Sequence, residues 1–152
     1  MASVLLTPFL KGKLWEILIF FAYFSYSADL HFSCMENIAN NIYKIAEEKF
    51  ANRVEFSEEL IEDLRVISKS TRAMIRATQD ALSGSDKKLA NDVESYKQKI
   101  NDLIFQARNK HIQNVQYGKL PMEFDYMILN LFTDLSRTAE HCSNVSEMIL
   151  KK

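Results

Sequence analysis

Turn formers are scarce in this chain, with three glycines and two prolines among 152 residues. Glycine supplies the left-handed backbone of tight turns, and proline interrupts helices. So few of either excludes a fold of many short strands and hairpins and favours a few long helices. Cysteine is equally rare. Cys34 and Cys142 form no disulfide framework and lack the close pairing of a zinc site, so both read as reduced, helix-packed thiols of a cytosolic protein. Net charge is nearly absent, at −1. Without a basic surplus there is nothing to neutralise phosphates, and no nucleic acid partner is expected. Long apolar runs are missing as well. Leu14–Ala28 is interrupted by Glu16, and its clean part, Ile17–Tyr26, falls far short of the ~18–20 residues of a membrane-spanning helix. No Gly-rich phosphate loop, HExxH or nucleophile with an adjacent base is present, so the chain is not expected to be an enzyme.

What is present is helical periodicity, and it predicts an all-α protein of four long antiparallel helices. The first runs from Phe9 or Leu14 to Phe50, with Leu30, Cys34, Asn37 or Ile38, Asn41 or Ile42, and Ile45 on its seam. Ser57 then suits an N-cap, followed by Glu58 and Glu59 where the helix dipole favours acids. Phe56 and Ile61 have the spacing of a hydrophobic staple. The second helix carries Leu60, Leu64, Ile67, Thr71, Met74, Thr78 and Ala81 in steps of four and three. Gly84 is its expected stop, with Ser85 or Asp86 capping the third helix. That helix carries Leu89, Val93, Tyr96, Ile100, Leu103 and Ala107, then His111 and Val115, and ends at Gly118. Pro121 marks the start of the fourth. Short connections make neighbouring helices antiparallel.

The last twenty helical residues, LFTDLSRTAEHCSNVSEMIL, hold the candidate site. Phe124, Ile128, Leu131, Leu135, Thr138, Cys142, Val145 and Ile149 form one buried seam. Asn130, Asp134, Arg137, His141 and Asn144 step beside it as a second stripe. Asn, Asp, Arg and His build hydrogen-bonded networks or metal shells, whereas a solvated face favours Lys and Glu. Asp134, Glu140 and His141 are the candidate metal ligands. Glu140 lies about 100° around the helix from His141, which makes it hard for one ion to take all three and favours a polar network. His111, near the end of its helix, reads as a cap-region histidine facing terminal carbonyls. Lys87, Lys88, Lys97 and Lys99 read as a solvated face. The other signal is aromatic: Trp15, Phe20, Phe21, Tyr23 and Phe24 surround the first helix. A helix apolar all round must be buried all round or meet a partner. These five residues are therefore expected to drive self-association or docking to a membrane protein.

His111-Ile112, Gln116, Gly118 and Pro121, followed by DLSRTAEHCSN at Asp134–Asn144, resemble the PhoU family of phosphate-uptake regulators. The likeness is strongest to the cytoplasmic PhoU-like tail of bacterial sodium/phosphate cotransporters, where the final helix typically reads D-L-E-R-[IV]-x-D-H-C-S-N-I. MENIANNIYKIAEEK is similar to the A-E-N-I-A-E-L-A-E-E-K that closes the family's first three-helix repeat, and EFSEELIEDL resembles the opening of the second. A faint internal repeat agrees, laying Asn37-Ile38 on Asn144-Val145. The resemblance implies an N-terminal segment 1–13, the last helix of a partial first repeat at 14–50, and a complete second repeat at 57–152. Most of the first bundle would be missing.

The same resemblance implies a regulatory or adaptor role in phosphate uptake, cytoplasmic and peripheral to the inner membrane, through a phosphate transporter or its histidine kinase. The family's metal signature is one acidic pair, E/D-x-x-x-D, per repeat. Here the second copy reads Ser136-x-x-x-Glu140 and the first Asp29-x-x-x-Ser33, each short of one carboxylate. Asp29 joins the metal candidates on this basis. A divalent ion held by carboxylates would be iron, manganese or magnesium, with weak occupancy at best. Two rival readings remain. Lys11 and Lys13, the apolar run, and then Ser25, Ser27 and Ala28 have the order of a signal peptide, which would make the chain a secreted or membrane-anchored bundle. It could also be a truncated cotransporter tail with no role of its own.

Overall fold

The computed structural model describes residues 29–119 and 122–151. Among them are four α-helices: α1 (Asp29–Ala51), α2 (Glu58–Gly84), α3 (Lys87–Gln116) and α4 (Asp125–Leu150). A 3-10 turn, Met122–Phe124, leads into α4. No described residue is in a strand, and the protein is all-α as its periodicity predicts. The expected beginning of the first helix and Pro121 lie outside the described residues. The fourth helix starts at Asp125, four residues beyond the proline taken as its start.

The chain divides into two compact units between Glu55 and Phe56. In the first, α1 buries Ile38, Ile42 and Ile45 and exposes Asn37 and Asn41, so the isoleucines of the two alternative seams are the inward ones. In the second, α2, α3 and α4 pack pairwise as a three-helix bundle. Every residue of the expected α2 seam is buried. Thr71, Thr78 and Thr138 can sit in the core because each hydroxyl donates to the carbonyl four residues earlier, at 2.8–2.9 Å, so none of the three hydroxyl protons is left unsatisfied.

The buried face of α3 is rotated from its expected position. Its buried line is Ala90, Val93, Ile100, Ile104, Ala107 and His111, while Leu89, Tyr96 and Leu103 are only half-buried. That rotation brings Lys97 inward. Helix α4 has the largest buried share of the three: thirteen of its 26 residues, against ten of 27 in α2 and six of 30 in α3.

The helix ends follow from backbone accounting. Ser57 Oγ accepts from Leu60 N–H at 3.2 Å, and Asp86 Oδ1 accepts from Lys88 and Leu89 N–H at 2.8 and 3.1 Å, each satisfying orphan donors of a first turn. Phe56 is buried, but Ile61 remains 39% exposed. At the C-terminal ends the bonds run five residues back: Val54 to Lys49, Asp86 to Ala81 and Lys119 to Asn114, at 2.8–3.0 Å. This is the Schellman closure, which needs a left-handed residue just before the donor. Gly118 fills that place with φ 68, but Arg53 and Ser85 fill the other two with φ 52 and 50. The left-handed stop of α2 is thus Ser85 and not Gly84.

Candidate functional site: the polar seam between the last two helices

Helices α3 and α4 run antiparallel and are joined by polar contacts along their shared edge. From α3 come Glu94, Lys97, Asn101 and Arg108; from α4 come Thr133, Ser136, Glu140 and Ser143. Ser143 Oγ donates to Glu94 Oε2 at 2.7 Å and accepts from Lys97 Nζ at 3.4 Å. The Lys97 ammonium also lies 3.3 Å from Glu140 Oε2 and 3.8 Å from Glu94 Oε1. Ser136 Oγ donates to Asn101 Oδ1 at 3.1 Å, and Arg108 Nη2 donates to Thr133 Oγ1 at 3.2 Å. At the far end, His111 Nε2 lies 2.5 Å from Asp125 Oδ1. Its ring is therefore bonded to the first turn of α4, not to the terminal carbonyls of α3. On the other edge of α3, Lys110 Nζ donates to both oxygens of Asp63 at 3.0 Å and lies 3.6 Å from Glu59. The Asp63 bond is the main reason the ammonium is held above its usual value.

This network occupies the stripe next to the one picked out by composition. Asp134 is 5% exposed and His141 is half-buried. Both are engaged within the structure. Arg137 and Asn130 are exposed. Glu140 is an exposed acid whose partner is Lys97. The structure therefore does not gather Asp134, Glu140 and His141 around one point, and no three His, Cys, Asp or Glu among the described residues form a group able to hold a metal ion. At the degenerate acidic pair, Ser136 bonds Asn101 and Glu140 bonds an ammonium. The side chain of Asp29 lies outside the described residues, as do Trp15, Phe20, Phe21, Tyr23 and Phe24. The residues that sequence reasoning missed are Lys97, taken for a solvated lysine, and Asn101. Their signal was positional: the polar stripe Glu94, Lys97, Asn101, Arg108 keeps helical spacing beside the apolar one.

The seam has little chemistry to offer a substrate. A serine beside a lysine can serve as nucleophile and base. Ser143, however, is 1% exposed and its hydroxyl proton is committed to Glu94. The thiol of Cys142 is equally withdrawn. Burial pushes it from 9.0 up to about 12, opposed by its side-chain contact with Thr78, and the thiolate is the reactive form. Titration of the native protein with a disulfide reagent near pH 8 is expected to detect only the half-buried Cys34, and both thiols after denaturation. Two thiols reacting rapidly in the native state would contradict this. Because the folded value lies above the unfolded one, burial of the neutral thiol contributes stability that is complete below about pH 9 and is lost as pH rises toward 12.

Three long helices held by an apolar core and by polar contacts from helix to helix define an all-α helical-bundle domain. The PhoU domain family matches residues 64–149, from the second turn of α2 almost to the end of α4. That is more than half of the chain, and the chain belongs to the PhoU domain family, a regulatory and non-enzymatic family of phosphate control. No curated protein and no solved structure matches it. Among the described residues no helix is long and apolar enough to cross a membrane.

Proposed function

We propose that the chain is a regulatory adaptor of phosphate uptake. It acts by protein–protein binding on the cytoplasmic side of the inner membrane, on a phosphate transporter or on the histidine kinase that signals phosphate supply. The family match across α2, α3 and α4 is the observation that carries this reading. The seam supports it, because side chains that could have bound an ion or substrate are committed to holding α3 against α4. Similarity of DLSRTAEHCSN to the last helix of sodium/phosphate cotransporter tails favours a transporter as partner. In this reading Trp15, Phe20, Phe21, Tyr23 and Phe24 supply the docking or self-association surface. The reading assigns no role to a divalent ion at Asp134, Glu140, His141 and Asp29.

Phosphate uptake in cells with and without the chain tests the proposal. With phosphate abundant, loss of the chain is expected to raise the uptake rate, and restoring the full chain to lower it again. Affinity purification from the same cells is expected to bring down a phosphate transporter or its kinase. Unchanged uptake together with neither protein in the eluate would rule the proposal out.

A further inference from the structure

The outer face of α3 has a charge order that is its own complement when reversed. Lys88, Asp92, Ser95, Lys99 and Asp102 follow one another in steps of four, three, four and three, so they share one stripe of the helix. All five are exposed. Among the described residues none of the four charged side chains has an ion-pair partner. Read from either end, the stripe presents the opposite charge in the same order: Lys88 and Asp102 each stand seven residues from Ser95, and Asp92 and Lys99 stand three and four residues from it. Two copies of α3 laid antiparallel about a two-fold axis near Ser95 therefore set Lys88 against Asp102 of the partner subunit, and Asp92 within about 1.5 Å of axial register with Lys99 of the partner subunit, inside the reach of a lysine side chain. The symmetry makes each contact twice, as an isologous interface requires.

Shape agrees with charge. An open groove of about 320 Å³ lies along this stripe, lined by Ala77, Leu89, Asp92, Ser95, Tyr96 and Lys99. Its middle is small, because Ala77 of α2 and Ser95 of α3 leave room for another helix to approach closely. Its walls are the half-buried Leu89 and Tyr96, which supply the apolar and aromatic area that dominates helix interfaces. From Lys88 to Asp102 the stripe spans about 21 Å of helix, enough for both charge pairs to flank the groove on each side.

We propose that α3 is the interface of a two-fold symmetric dimer, with a second copy of this chain as the occupant of the groove. The inference does not depend on the role in phosphate uptake, and it uses none of the aromatic residues before Asp29. Sedimentation velocity on the full chain over a range of concentrations tests it. The wild type is expected to be in reversible monomer–dimer equilibrium that weakens with added salt. Asp92→Lys places like charges across the axis twice and is expected to weaken association at least about tenfold. Adding Lys99→Asp to that variant restores opposite pairs and is expected to recover wild-type association. Circular dichroism checks that each variant retains its fold, as exposed positions allow. A wild type that stays monomeric at every concentration overturns the proposal. So does self-association that Asp92→Lys leaves unchanged, or a double variant that associates no better than the single one.

Discussion

Replacing Phe132 with alanine is expected to remove about 3–5 kcal/mol of folding stability, whereas Phe105→Ala moves it by less than about 0.5 kcal/mol. The two rings belong to adjacent helices, and their composition cannot tell them apart. Phe132 is 0% exposed and is the largest of the fully buried side chains; Phe105 is 66% exposed. Truncating the first leaves a cavity beside α4 that rigid neighbours refill only in part. Truncating the second exchanges exposed surface for water. A domain of this kind has about 5–15 kcal/mol in all, so Phe132→Ala brings the bundle near its unfolding threshold. Urea denaturation followed by circular dichroism checks both variants. A shift in midpoint at constant slope assigns the loss to the native core. Equal midpoints for the two variants would mean that α4 does not have the buried circumference described.

The same phenylalanine shows where periodicity stops being informative. The seam from Ile128 through Ile149 is legible because large apolar residues recur every three or four positions, and those positions are buried. Phe132, Ala139, Ser143 and Ser146 are buried too, on a neighbouring stripe. Three of those four are small or hydroxylic, so no apolar rhythm announces them. A helix that packs against two neighbours buries small and hydroxylic residues along its second contact line, and where that line falls is a property of the tertiary arrangement. The rotated face of α3 has a related origin. Tyr96 and Leu103 are larger than Ala90 and Ala107 and dominate a count of apolar residues. Close approach of the helices, however, puts the small residues at the contact line and leaves the large ones half-exposed at its edge. Ala81, Ala90, Val145 and Ile149 form one such tightly packed end of the bundle.

The site was legible as a kind of chemistry but not as a set of partners. Residue types in DLSRTAEHCSN pointed to a polar network on the last helix, and a network is there. Its α4 members are Ser136, Glu140 and Ser143, with Lys97 as the central cation. A single sequence places residues on a helix; it does not say which side of that helix meets which neighbour. Lys97 is the clearest case. Among the five lysines of α3 it looks like another solvated charge, yet its side chain is only 20% exposed because the rotation of α3 carries it to the edge of the core. Its long apolar stem can lie along the seam while the ammonium reaches Glu140 and Ser143. The helix ends teach the same lesson from the backbone. Gly118 was readable as a left-handed stop, but Arg53 and Ser85 adopt the same conformation without being glycine. The Schellman bonds there compensate a conformation that costs roughly 1–2 kcal/mol in such residues.

Asp125→Ala is expected to lower stability by about 1–3 kcal/mol, far more than a typical loss of a surface carboxylate. The ring of His111 is 4% exposed, its Nε2 is bonded to Asp125, and its Nδ1 is buried without a hydrogen-bond partner. Removing the carboxylate leaves the second nitrogen unsatisfied as well, in a place that water enters poorly. The pair also closes the loop from α3 to α4, since it joins the last two turns of one helix to the first residue of the next. Asp125 gains further support as an acid in a first helical turn, where the dipole favours negative charge. A second substitution separates these contributions. Asp125→Asn keeps an oxygen within reach of the ring and is expected to lose less than alanine does. Combining Asp125→Ala with His111→Leu replaces both partners of a buried polar contact, and the combined loss is expected to be smaller than the sum of the two single losses. Strict additivity in this cycle, measured by urea midpoints, would show that the histidine and the aspartate do not support each other. The connection between α3 and α4 would then rest on the seam around Lys97 alone.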